Sequence, residues 1–287
     1  MDIIASVIFM QTMRWTQHAH GHMAWVAFIN YSFAAMFYLP LYAMPAHHGT
    51  TVTIMGAVVG VLYALNFFLA MAVIRTNGIA LTSAITVLAT VIPVLVSIAS
   101  GDPWGDRTPG LALAAIAAPM LILGRSTNTV VTRACLDIRS AVRIFVLLIF
   151  IGTQMSLFKV ARHLGGDGYE HAFLPALFMA AALTSCGPAL FAGHRALRRG
   201  DVARGLVLGT CNISANYCFT QALMVLSGVV AFPVRHIATV ACTTVLGYLL
   251  WRERVNRIGL AGIALGLAAA VLLTIAGDPP PLSDIGQ

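Results

Sequence analysis

The chain has 287 residues, of which 59% are hydrophobic and only 9% are Asp, Glu, Lys or Arg. About a quarter of the residues of a soluble domain are charged, so this composition excludes a soluble protein and indicates an integral membrane protein. The formal net charge of +7 comes from basic residues clustered between apolar runs, which marks them as topology signals and excludes nucleic acid as a partner.

Apolar runs follow one another along the whole chain. A helix needs about 20 apolar residues to cross the hydrocarbon, where every backbone polar group must be satisfied within the segment. We predict ten spans: 2–16, 23–44, 52–74, 78–99, 109–124, 140–160, 172–192, 203–224, 229–250 and 257–276. The first is short, and whether it crosses completely is left open.

The third and eighth predicted helices are similar to each other, and a spacing of 150 residues aligns Asn66 with Asn216. Five spans in each half are an odd number, so the second half must enter the membrane upside down relative to the first. This is the inverted-repeat plan of many secondary transporters. We therefore predict an all-α integral membrane protein of two inverted five-helix repeats.

The predicted organisation has four parts: a first repeat at 1–124, a connecting loop at 125–139, a second repeat at 140–277 and a polar tail at 278–287. Pairs of glycines four residues apart predict close helix contacts, because association in lipid depends on van der Waals packing. These pairs are Gly56/Gly60, Gly205/Gly209 and Gly262/Gly266.

Three segments carry a resemblance to a known family: "LYALNFFLAMAVIRTNGIALTSAITVLATVIPVLVSI", "LGTCNISANYCFTQALMVLSGVVAFPV" and "LGYLLWRERVNRIGLAGIALGLAAAVLL". They resemble the EamA-like branch of the drug/metabolite transporter superfamily, and the resemblance extends over nearly the whole chain. A Glu opens the last helix of that family, matched here by Glu253, and a glycine-rich final helix follows. The resemblance implies a transporter fold and a transport role, but no particular substrate.

Polar side chains inside the spans predict the substrate site. Arg235 and His236 lie within the ninth predicted helix, where an Arg costs about 2.5–3.5 kcal/mol to insert. All ten Asp and Glu map to loops, helix ends or termini, so we expect no carboxylate inside the spans to neutralise Arg235. We therefore predict that Arg235, helped by His236, binds the carboxylate or phosphate of a substrate.

The predicted cavity lining also includes Asn66, Asn216, Tyr217 and Gln221. Two alternatives stay open. The polar residues can simply join helices, at about 0.6 kcal/mol each, and Arg235 can extend its head group to the membrane interface. If transport is coupled to protons, His236 is the expected titrating group, because the pKa of an unperturbed histidine is about 6.5.

The predicted function is secondary transport, by export or exchange with alternating access, of a small polar or anionic metabolite such as an amino acid or organic acid. One alternative is efflux of lipophilic drugs or cations, which the fixed charge of Arg235 disfavours. The other is a scaffold subunit that transports nothing. We expect no enzyme activity, because no catalytic arrangement lies at membrane depth. We expect no cofactor and no bound metal: the spacing of His18, His20 and His22 puts only the outer pair on one helical face, so we expect them to lie in a solvated loop.

The expected partners are the lipid bilayer and a small-molecule substrate, in the inner or plasma membrane, and a homodimer is compatible with the sequence. Thirteen arginines lie in or beside loops after odd-numbered predicted helices, against three basic residues after even-numbered ones. The positive-inside rule then predicts that the loops after odd-numbered helices are cytoplasmic and that both termini are outside.

Overall fold

The computed structural model describes residues 1–43, 49–102, 108–123, 138–193, 197–251 and 257–275. Residues 125–137 of the predicted connecting loop, Glu253 and the polar tail at 278–287 lie outside the described residues. In the described ranges all regular secondary structure is helical. The predicted all-α class therefore holds for this part of the chain.

Within the described ranges ten α-helices follow one another, with bounds close to most of the predicted spans. They are α1 (Asp2–His18), α2 (Met23–Tyr38), α3 (Thr50–Ala89), α4 (Val91–Ala99), α5 (Thr108–Leu123), α6 (Ile138–Gly165), α7 (Glu170–Ala192), α8 (Arg199–Val225), α9 (Gly228–Trp251) and α10 (Arg257–Ile275). A short 3₁₀ helix, Leu39–Ala43, follows α2.

The largest difference from prediction is α3, which continues through the predicted break at 75–77. Its 40 residues would measure about 60 Å if straight, twice the roughly 30 Å of bilayer hydrocarbon. The first part of α3 runs opposite to α6. Tyr63 packs on Phe158 with ring centroids 6.4 Å apart, and three residues later Asn66 bonds to Gln154.

The segment that includes α4 runs in the same direction as α6. Ile92 fills the space beside Gly152, and ten residues later the Asp102 carboxylate lies 2.7 Å from Lys159 Nζ. The chain therefore reverses its direction between Asn66 and Ile92. The helix bounds differ from the two predicted spans at 52–74 and 78–99, but the contacts show two antiparallel segments in this region.

Glycines bring α3 into direct contact with α7, as predicted. A Cβ atom added at Gly56 would lie 2.5 Å from the carbonyl oxygen of Phe173, and one added at Gly60 would collide with the carbonyl oxygen of Leu177. Only glycine permits backbones to approach so closely. From the first contact to the second, the residue number rises by four on both helices, so α3 and α7 are parallel here.

A second glycine pair makes the corresponding contact between α8 and α2. A Cβ at Gly205 would lie 3.2 Å from the Val26 carbonyl oxygen, and a Cβ at Gly209 would lie 2.9 Å from that of Asn30. These contacts confirm the predicted packing role of the first two glycine pairs. Gly262 and Gly266 of the third pair are buried.

Large apolar side chains cover much of the outer surface, among them Ile54, Leu95, Phe145 and Leu183, each more than half exposed. Such a surface indicates a lipid environment. Among the residues that the structure describes, five helical segments are long and apolar enough to cross a membrane: Met23–Tyr42, Thr50–Val73, Val142–Gly165, Glu170–Ala192 and Gly228–Leu246. The prediction was ten spans, and α1 and α5, with 17 and 16 residues, are too short for this criterion.

Candidate functional site

A cavity of about 250 Å³ lies between α1, α2, α3, α6, α8 and α9. Four of the six predicted site residues line it: Asn66 from α3, Asn216 from α8, and Arg235 and His236 from α9. The remaining lining is mostly aromatic and aliphatic. The structure therefore brings residues from both halves of the chain to one internal site.

Arg235 has a carboxylate partner, which corrects the expectation that none would be available. Its Nε lies 3.0 Å from Oδ2 of Asp2, and each side chain is only 15% exposed. Arg235 is the eighth residue of α9 and lies about 10 Å from the start of that helix. Asp2, the first residue of α1, lies at the same depth. The pairing is a tertiary contact, so the terminal position of Asp2 in the sequence concealed it.

The relative direction of α1 and α9 explains this juxtaposition. Gln11 Nε2 donates to the Thr243 carbonyl oxygen at 3.4 Å. Gln11 lies nine residues after Asp2 on α1, and Thr243 lies eight residues after Arg235 on α9. The two helices therefore run parallel. Because α1 begins level with Arg235, it starts about two turns farther along the bundle than α9 does.

Two further contacts hold the ion pair in place. The guanidinium carbon of Arg235 lies 4.1 Å from the centre of the Phe219 ring, a cation–π geometry, and Ser6 Oγ donates to Asp2 Oδ1 at 3.3 Å. In the described part of the chain no hydrogen-bond partner is seen for the two terminal nitrogens of Arg235. These nitrogens are the donors with which an arginine binds a carboxylate in a bidentate manner.

His236 is buried beside Arg235, with 7% of its surface exposed. Its Nδ1 lies 2.8 Å from the carbonyl oxygen of Phe232. A carbonyl oxygen only accepts hydrogen bonds, so Nδ1 carries a hydrogen. In the neutral ring the second nitrogen, Nε2, is then an acceptor.

The two predicted asparagines differ in how fully they are bonded. Asn216 accepts a hydrogen bond from Tyr63 Oη at 2.6 Å and donates one to the Asn212 carbonyl oxygen at 2.9 Å. Asn66 donates to Gln154 Oε1 at 2.5 Å, but its own Oδ1 is buried without a partner. Asn66 therefore retains an acceptor that a bound molecule can use.

Tyr217 and Gln221 do not reach the cavity. Tyr217 is 47% exposed, and Gln221 Nε2 donates to Glu170 Oε1 at 3.3 Å. A residue turns about 100° around the helix axis from its neighbour, so the residue after Asn216 points away from the face that Asn216 shares with Phe219. Residue type suggested both positions, but their angular position excludes them from the lining.

An aromatic cluster borders the cavity beside Arg235, and no sequence pattern indicates it specifically. It consists of Phe158, Phe173, Phe219 and Phe232, all at most 2% exposed. The Phe158 ring centre lies 4.8 Å from that of Phe173 and 5.9 Å from that of Phe219. Phe219 in turn contacts Phe232 at 5.4 Å. The cluster joins α6, α7, α8 and α9 beside the cavity.

A salt bridge lies on the same side of the bundle as the aromatic cluster. Asp102, just after α4, receives a hydrogen bond of 2.7 Å from Lys159 of α6 through Oδ1. Its Oδ2 accepts the backbone N–H of Gly228 at 2.8 Å, at the positive end of the α9 dipole. Asp102 therefore connects the end of α4 to both α6 and α9.

In the part of the chain that the structure describes, no group of three His, Cys, Asp or Glu side chains is arranged to hold a metal ion. The donors of the site are a guanidinium, an imidazole, amides and hydroxyls. Together with the Asp2 carboxylate, this set can bind a small polar molecule by hydrogen bonds and charge.

Comparison with known proteins identifies the second half of the chain. Residues 138–275 match the sequence profile of the EamA-like transporter family. Twenty-two chains of solved structures also match. One of them, described only as "Crystal structure of protein", has a TM-score of 0.67 at 12% identity and covers 96% of both chains, which shows a shared fold.

The comparison with curated proteins finds no match to the chain. The family match carries the assignment, and it agrees with the resemblance noted in the sequence. Residues 138–275 match the EamA-like transporter family, which belongs to the drug/metabolite transporter superfamily, and together with the apolar helices this match points to a multi-pass membrane protein.

Proposed function

We propose that the chain is a secondary transporter of a small polar or anionic metabolite, such as an amino acid or organic acid, in the plasma membrane. The observation that carries the proposal is Arg235, a charged residue that lines an internal cavity and has two terminal nitrogens without a partner among the described residues. Ionisable groups inside membrane segments mark substrate paths by default, because burying them without a role is costly.

Two corresponding sets of helix contacts support an inverted repeat. Gly56 and Gly60 of α3 pack on Phe173 and Leu177 of α7, while Gly205 and Gly209 of α8 pack on α2 beside Val26 and Asn30. The glycine pairs are 149 residues apart in the chain, and their partners on α7 and α2 are 147 residues apart. The same contact therefore occurs twice with nearly constant spacing, as two repeats of one fold would produce.

The direction of the helices supports ten crossings. The chain reverses its direction between Asn66 and Ile92. This region of the first half therefore supports two membrane passes, although most of it belongs to the single helix α3. Substrate sites of inverted-repeat transporters form between the repeats, and the lining of this cavity, which comes from both halves of the chain, supports such a site.

A second candidate, efflux of lipophilic cations, is favoured by one observation. Asp2 compensates the charge of Arg235, which weakens the electrostatic argument against a positively charged substrate. The apolar lining of the cavity also suits a lipophilic molecule. No corresponding observation favours a scaffold subunit.

A metabolite comparison tests the proposal. Cells that produce the wild-type chain are compared with cells that produce none, and small molecules in the cells and in the medium are quantified without prior choice of substrate. We expect a small polar or anionic metabolite to be redistributed across the membrane. Redistribution of lipophilic cations alone would favour the second candidate, and no redistribution would argue for a protein without transport activity.

A further inference from the structure

The Asp2–Arg235 ion pair bears on which charges a substrate of this cavity carries. We propose that the cavity selects a zwitterion, a small molecule with one carboxylate and one ammonium group, and that Asp2 is the specificity-determining residue. This inference rests on the proposed function. Arg235 then binds the carboxylate and Asp2 binds the ammonium. The cavity volume of about 250 Å³ lies near the lower end of the roughly 300–1,000 Å³ typical of ligand pockets, which suits a small molecule.

The charges at the site carry the argument. Arg235 and Asp2 are each 15% exposed and neutralise each other. A substrate with only a negative charge that displaces Asp2 from Arg235 leaves the largely buried Asp2 carboxylate without a counter-charge. A substrate with only a positive charge that displaces Arg235 from Asp2 leaves the largely buried guanidinium without one. A charge left buried without its partner is strongly unfavourable. A zwitterion replaces one ion pair by two, so both protein charges remain compensated.

The arrangement of the pair leaves room for such an exchange. The Nε atom of Arg235 lies 3.0 Å from Oδ2 of Asp2, Phe219 supports one face of the guanidinium, and Ser6 donates to Oδ1 of Asp2. The terminal nitrogens of Arg235 are thus oriented before any substrate binds. Two protein groups keep the ion pair in position, which lowers the entropy lost on binding.

Two further polar atoms line the same cavity without partners. Thr239 Oγ1, one turn beyond Arg235 on α9, and Asn66 Oδ1 are both buried and unbonded. Each can bond to a polar group of a bound molecule. The lining also has an apolar surface for the rest of the bound molecule, formed by Phe9, Met13 and Phe67. The site therefore matches a zwitterion with a largely apolar body.

Three probes with one common isobutyl group test the proposal. Leucine is the zwitterion, 4-methylpentanoate lacks its ammonium group, and 3-methylbutylamine lacks its carboxylate. Binding of each to the purified full chain is measured by calorimetry and by the shift of thermal unfolding, since a ligand of the folded state raises its stability. We expect leucine to bind about tenfold or more tightly than either analogue, because each analogue leaves one protein charge unpaired.

Variants of Asp2 separate its role from a structural one. Asp2→Asn should abolish the preference for leucine and make 4-methylpentanoate at least as good a ligand, whereas Asp2→Glu should keep the wild-type order. Asp167→Asn removes a carboxylate that is 94% exposed and should change nothing. Reversal of the rank order between two analogues is a result that simple loss of folding cannot produce.

Other outcomes would overturn the inference. If wild type binds 4-methylpentanoate as tightly as leucine, and Asp2→Asn leaves that order unchanged, the cavity is an anion site, and the proposed transport function stands without the zwitterion. If the folded wild type binds none of the three probes, the zwitterion inference fails, while the metabolite comparison still decides the transport function. If Asp2→Asn fails to fold, the order of the affinities of the three probes for the wild-type protein decides whether the inference stands.

Discussion

Tyr63 of α3 donates a hydrogen bond of 2.6 Å from its hydroxyl to Oδ1 of Asn216 on α8. The bond joins the two halves of the chain at the wall of the cavity. Because Asn216 Nδ2 is bonded to the Asn212 carbonyl oxygen, the orientation of the Asn216 amide is fixed by both contacts. Tyr63 therefore positions a lining residue in addition to lining the cavity itself.

Replacing Tyr63 by Phe should destabilise the protein by about 0.5–1.5 kcal/mol, because the Asn216 oxygen loses its donor in a buried place. Thermal unfolding of the purified protein measures the change. Tyr217→Phe is the matched control, since Tyr217 is 47% exposed and lies outside the cavity, and it should unfold close to wild type. Equal unfolding temperatures for the two variants would show that the bond contributes nothing measurable.

Gly60→Ala should weaken the contact between α3 and α7. The added methyl group would collide with the Leu177 carbonyl oxygen, so the helices must move apart, at a cost of about 1–3 kcal/mol typical of overpacking. Gly187→Ala provides the control, because a Cβ at Gly187 meets nothing within 4 Å. That variant should be neutral or slightly stabilising, as alanine favours a helix over glycine by about 1 kcal/mol. A stable Gly60→Ala variant would argue against close packing of these helices.

The charge distribution predicts that the start of α8 faces the cytoplasm. In a background without cysteines, Arg199→Cys should react with a membrane-impermeant thiol reagent only after the cells are permeabilised. Asp167→Cys, between α6 and α7 on the opposite side, should react in intact cells, because Asp167 is 94% exposed there. The reverse pattern of labelling would place the termini inside.

Features that depend on local sequence could be predicted well. The apolar runs gave most helix bounds, and the glycine spacing identified the contacts of Gly60 and Gly209, because both signals depend on residues a few positions apart. The long helix α3 could not be predicted in the same way. Its helical bonding continues across the expected break at 75–77, where no residue such as proline interrupts it.

Part of the cavity lining could be predicted from the sequence. Arg235 and Asn66 were identified because charged and amide groups are rare at membrane depth. Asp2 was missed, since its contact with Arg235 joins residues 233 positions apart and depends on how α1 packs on α9. Tyr217 was included by residue type, although its angular position one residue after Asn216 points it outward.

Transport by variants of Arg235 in proteoliposomes tests the central claim most directly. With the metabolite found by the cell comparison, Arg235→Gln should reduce uptake or exchange about tenfold or more, because a charged hydrogen-bonding partner of the substrate is lost. Arg235→Lys should retain part of the activity. Arg143→Gln, a change at an exposed position of α6, should transport like wild type.

Folding must be separated from binding in this measurement, because Arg235→Gln leaves Asp2 without its counter-charge. The double variant Asp2→Asn/Arg235→Gln removes both charges, so it should unfold near the wild-type temperature and still fail to transport. This combination, a folded protein without transport, is the result that we predict. Wild-type transport by folded Arg235→Gln would contradict the account and make Arg235 a structural residue.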